Sequence, residues 1–135
     1  MKRLALMLIL VPTIAFAEED PFDGRLIPVE LIMEQRKAVG ISREQHSQIG
    51  KLVVEVQKSV AEKQWQLQEA YFGLLAALDE ETIDEKTAVD LAARAVGIEN
   101  EIKVEQVRLL VRVRNLLDSQ QIEELREIMA QQKGG

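Results

Sequence analysis

The 135-residue chain carries 17 basic and 23 acidic side chains, a net charge of −6 with its single histidine neutral, and no cysteine. The length fits one small domain, and the acidic balance argues against nucleic acid or an anionic membrane surface as the main partner. The missing thiols exclude disulfide support and cysteine chemistry, and 4% aromatic residues with three prolines suit an all-helical protein.

In chain order, Lys2 and Arg3 precede an apolar run, Leu4 to Ile14, broken by Pro12. Ala15-Phe16-Ala17 then has the A-x-A form of a cleavage site and is followed by three acids. These features read as a secretory signal peptide over residues 1–17, the apolar run being far short of the ~20 residues a membrane span needs. Loss of Lys2 and Arg3 lowers the basic count from 17 to 15. The remaining 118 residues (135 less 17) then carry a net charge of −8. The expected address is the periplasm, with no membrane insertion after removal of the signal.

Residues 18–27, with Pro21 and Gly24, read as a flexible lead-in. Pro28 suits the first turn of a helix and Gly40 its end, which predicts a short helix over 28–39. The stretch Ile41-Ser42-Arg43-Glu44-Gln45 is a capping box: Ser42 accepts from the N–H of Gln45, whose side chain reaches back to the cap. It opens a helix over about 42–78, roughly 54 Å long, with Ile49, Leu52, Val56, Val60, Leu67, Tyr71, Leu74 and Leu78 on one stripe. Steps of three and four define that stripe.

After the acidic connection 79–85, Asp84 caps a third helix running to about Leu116. Its stripe is Leu91, Ala95, Ile98, Ile102, Leu109, Val113 and Leu116, and Arg108, Arg112 and Arg114 near its end match the helix dipole. The short connection implies an antiparallel hairpin. Both stripes break at one height, so Lys63 and Gln64 are expected opposite Glu99 and Asn100, either as a register-fixing polar layer or simply in solvent. Gly97 lies beside that layer. A second box, Leu117-Asp118-Ser119-Gln120-Gln121, followed by Ile122, opens a fourth helix over 119–132. The fold class is therefore all-α, a single domain over 28–135 of four helices in which a long hairpin carries short N- and C-terminal helices.

Chemistry is sparse: no Gly-rich phosphate loop and no set that could complete a Ser-His-Asp triad. His46 is the one histidine and a weak metal candidate, with only Glu34 and Glu44 as oxygen companions; structural and sensing sites draw on several His and Cys. Met33 and Met129 read as core filler. No enzyme activity, cofactor or metal site is expected. A second face of helix two, Val54, Lys58, Ala61, Trp65, Phe72 and Ala76, lies roughly 140° from the hairpin stripe. It would be covered by helix one or four, by a second subunit, or by an unfolded client.

On the two five-residue boxes, with Pro28-Val29-Glu30-Leu31-Ile32-Met33 ahead of the first and Leu109 to Leu116 ahead of the second, the chain resembles the Spy/CpxP-like periplasmic proteins. Their signature is a repeated L-T-x-x-Q. Neither copy keeps the full Leu-Thr pair, although Ser42 and Asp118 can cap in its place. The resemblance implies a cradle-like homodimer acting as an ATP-independent chaperone that binds unfolded proteins under envelope stress. Alternatively, it implies a regulatory accessory that binds a sensor kinase or another envelope partner. The family cradle tends to be basic, whereas this chain is acidic. Sensors of the CnrX kind are similar more distantly, but their clustered His and Met ligands are missing here, so metal sensing or resistance is the weakest of these expectations.

Overall fold

The computed structural model describes residues 22–134, so the signal peptide expected at 1–17 lies outside the described residues. These residues are all-helical, with no strand among them and one isolated bridge between Asp23 and Leu26. The helices are α1 (Val29–Glu34), α2 (Arg43–Leu78), α3 (Glu85–Arg114) and α4 (Ser119–Gly134). The described residues group into two compact units: 56–105 forms one, and 22–55 with 106–134 forms the other.

Within Val56–Glu105, the later part of α2 packs on the earlier part of α3. Val56, Val60 and Ala70 of α2 and Ala88, Ala95, Ile98 and Ile102 of α3 are buried there, much as the three-and-four spacing predicts. The seam departs from expectation where Ala70 takes the place given to Tyr71. Tyr71 and Leu78 are 40% and 44% exposed. The tyrosine ring lies at the seam's edge because its hydroxyl donates to Glu99 Oε2 at 2.9 Å, and a phenol satisfied outside loses nothing by staying wet. Lys63 does not face Glu99 and Asn100; it bridges to Glu101 at 3.2 Å. Gln64 and Asn100 are exposed, so of the expected polar layer only the Lys63 and Glu99 ends engage a partner. A Cβ added at Gly97 would meet open space, so no close approach within the chain requires this glycine.

Asp84 opens α3. Its carboxylate accepts from Thr87 N at 3.2 Å and from the Thr87 hydroxyl. These two bonds, the hydroxyl's first, hold its pKa below the ordinary 3.8, while modest desolvation opposes them. Arg112 and Arg114 sit in the last turn of α3, where the helix dipole favours cations. The regular helix stops at Arg114, two residues sooner than the spacing suggests. Its end tightens into three-residue closures, Leu116 N to Val113 O and Leu117 N to Arg114 O, which bring Asp118 into capping position.

In the other unit, α1 is shorter than predicted. Pro28, at φ −60°, precedes the first helical residue, and regular helix gives way at Gln35. The chain winds on in turns and closes where Ile41 N meets Arg36 O at 2.8 Å and Gly40 N meets Lys37 O at 3.4 Å, with Gly40 at φ +71°. That is a Schellman closure, and its left-handed residue carries no Cβ penalty only as glycine. Residues 22–27 make hydrogen bonds of their own and reach the core. Arg25 and Leu26 both donate to Phe22 O at 2.9 Å, and Asp23 pairs with Lys133. Ile27 is 1% exposed. It joins Leu31, Ile32, Ile49, Leu109, Val113, Leu117 and Leu125 in the core of this unit.

Candidate functional site

Two places repay attention, one polar and inside, one apolar and outside. The first is built from the two boxes. Ser42 Oγ accepts from Gln45 N at 3.0 Å while Gln45 Oε1 accepts from Ser42 N at 2.9 Å. Asp118 Oδ1 accepts from Gln121 N at 2.8 Å while Gln121 Oε1 accepts from Asp118 N at 3.0 Å. Each box satisfies donors that the first turn of its helix leaves unpaired.

The boxes then lock to each other. Gln45 Nε2 donates to Gln121 Oε1 at 2.8 Å and to the carbonyl of Leu116 at 2.8 Å. Gln121 Nε2 donates to Gln45 Oε1 at 3.1 Å and to the carbonyl of Gly40 at 2.9 Å. Leu116 and Gly40 each lie two residues before a cap, so the arrangement is reciprocal: each glutamine closes its own box and ties down the chain entering the other. Both oxygens accept twice and both amide nitrogens donate twice, which fills the hydrogen-bonding capacity of the two side chains. Gln121 is 5% exposed, a burial that full satisfaction makes tolerable. A capping box accepts Glu or Gln alike. Only an amide can also donate to a carbonyl, so the need for Gln at 45 and 121 follows from this pairing and not from the caps.

The second place is the outer face of α2. Val54, Trp65 and Phe72 are 64%, 65% and 67% exposed, and Leu75 on the same side is 56% exposed. Lys58, Ala61 and Ala76 are exposed too. Leu75, three residues beyond Phe72, borders this face and is not among the residues that the sequence pattern singles out.

His46 is exposed, and its Nε2 lies 3.2 Å from Arg36 Nη1. Among the described residues no three His, Cys, Asp or Glu side chains converge as a metal would need. Met33 and Met129 are half-buried, consistent with packing roles. A shallow groove of about 360 Å³ is lined by Gly24, Arg25, Leu26, Val111, Arg114, Asn115 and Arg126; the buried Arg114 Nε at its side has no hydrogen-bond partner among the described residues. Among the described residues no helix is long and apolar enough to cross a membrane.

Compared with known proteins, the chain matches no family model, no curated protein and no solved structure.

Proposed function

We propose that the protein is a periplasmic, ATP-independent holdase of the Spy/CpxP-like kind, binding unfolded or aggregation-prone proteins as a homodimer built on a long antiparallel helical hairpin. The observation that carries the reading is the exposed Trp65 and Phe72 on α2. Large aromatic rings left in water at the same side of a helix supply apolar area for reversible contact. Lys58, Glu62 and Glu69 border that side in the sequence, and such charges keep a loaded complex soluble. The position sums of Lys63 with Glu101 and of Tyr71 with Glu99, 164 and 170, stay nearly constant, which supports opposed chain directions for α2 and α3. The paired boxes add to the likeness because they use both glutamines of the repeated motif.

The test is light scattering of an aggregating client, without ATP, as the protein is added at increasing ratio. Suppression near stoichiometric amounts is expected, and it weakens when Trp65 and Phe72 are replaced by Ser. A folded protein that leaves aggregation unchanged removes the holdase reading and favours a regulatory accessory with one dedicated envelope partner.

A further inference from the structure

Trp65 stands between two carboxylates on α2. Glu62 lies three residues before it and Glu69 four after, the spacings at which side chains become neighbours on a helix surface. All three are exposed. Among the described residues neither carboxylate has a hydrogen-bond or ion-pair partner. Lys63, the cation next to Glu62 in sequence, is engaged by Glu101 of α3 at 3.2 Å. Lys58, one turn before Glu62, makes no ion pair with it. Phe72 falls within about 20° of Trp65 around the helix and roughly 10 Å further along it. Negative charge also accumulates beyond this point: residues 64–85 carry six acidic side chains and no basic one. In the same stretch Leu75, Leu78 and Ile83 are exposed as well as Trp65 and Phe72.

An apolar face alone would take any unfolded segment, but this one is edged by unpaired anions. We propose that Glu62, Trp65 and Glu69 form a subsite for an arginine side chain of the client, so that the segments bound here are cationic ones with a large apolar residue three positions from an arginine. A guanidinium uses both features of the subsite. Its plane stacks on an indole, whose ring quadrupole attracts a cation, and its edge donates charge-assisted hydrogen bonds to carboxylates. Phe72 sets the spacing. Unfolded chains often adopt the polyproline II form, in which side chains three apart return to the same side after about 9 Å, close to the step from Trp65 to Phe72. An acidic client would meet only like charge along residues 64–85, and such repulsion discriminates against it. This selectivity rests on α2 being the client face and adds to that reading the charge and the pattern of the client.

Three unstructured peptides test it, with binding followed through the Trp65 emission and by calorimetry. One is built from Arg-Gly-Ser-Leu repeats, which place Arg and Leu three apart. The second replaces each Arg by Glu, and the third, built from Arg-Ser-Leu-Gly repeats, has the first one's composition but never places Arg and Leu three apart. The first peptide is expected to bind about tenfold more tightly than the second, as two exposed ion pairs and one cation–π contact together allow. That ratio should shrink as salt is added, and the first peptide should also bind more tightly than the third. The double variant Glu62→Gln/Glu69→Gln, with an unchanged circular dichroism spectrum, is expected to lose most of the preference for Arg over Glu. Equal binding of the first two peptides, equal binding of the two arginine peptides, or a preference that survives in the double variant would each overturn the inference. If a client is protected from aggregation while the peptides bind alike, the arginine subsite fails and the holdase reading stands. If the first peptide binds with its full preference but no client is protected, the holdase reading fails alone.

Discussion

At residues 45 and 121, two glutamines 76 positions apart share a ring of hydrogen bonds in which each amide both donates and accepts. Replacing the Gln121 amide by a carboxylate keeps the shape and the capping acceptor but removes both donors. The Gly40 carbonyl loses its partner, and an anion now faces Gln45 Oε1 in a part-buried setting. Gln121→Glu is therefore expected to destabilise the fold by about 3 kcal/mol, the cost of leaving part-buried polar groups unmatched. Urea unfolding at neutral pH measures this. Lowering the pH until the new carboxyl protonates should recover part of the loss, because the neutral acid regains one donor. A variant as stable as the parent would show that the cross-pairing carries no weight and that the two boxes act only as separate caps.

At the level of the helix, α3 depends for its start on Asp84, whose carboxylate serves Thr87 twice. Because these bonds favour the charged form, the folded pKa lies below the ordinary 3.8. The sign then follows. The cap's contribution is fully present above the unfolded value, hence at neutral pH, and disappears as the pH falls through the lower folded value. Asp84→Ala should lower the melting temperature at pH 7, and the gap between variant and parent should close as the solution is acidified below about 3.8. Taking the difference between the two proteins removes the titration of the other acidic residues, which both share. A gap independent of pH would mean that Asp84 acts through something other than its charge. The long helices α2 and α3 also divide their surfaces: one side of each is buried against its neighbour, and another side of each presents large apolar residues to water.

For the molecule as a whole, that division predicts how its only tryptophan behaves. Trp65 is 65% exposed, so its emission in the free protein should lie at the wavelength of a solvated indole and shift to the blue as an aggregating client is added. Trp65→Ser should leave the melting temperature nearly unchanged, within about 0.5 kcal/mol of stability, since an exposed side chain away from caps and core contributes little to folding. The same substitution should weaken client protection in the scattering assay. A blue-shifted emission in the free protein that reverts on dilution would instead place Trp65 in a contact between copies.

Much of this molecule could be read from its residues because the forces concerned act over three or four positions. Apolar spacing marks the seam through Val56, Val60, Ala95, Ile98 and Ile102. Ser42, Asp84 and Asp118 mark three helix starts, and Gly40 marks a left-handed stop. Such signals are properties of one helix at a time, so the all-helical class and most helix ends are legible without a partner in view. What the sequence alone left open depends on contacts between distant segments. The tie between Gln45 and Gln121 is silent in either motif, since a cap needs only an acceptor, and the need for a donor arises when the two entry turns meet. Ile27 belongs to a stretch that Pro21 and Gly24 mark as irregular, with no apolar spacing to place it, yet it is buried because contacts with distant segments put it on the core. Trp65 and Phe72 could equally have been covered by α1 or α4, for their spacing is the same either way. The tertiary structure leaves both rings in water, because burial depends on what packs against a face and not on the spacing within it.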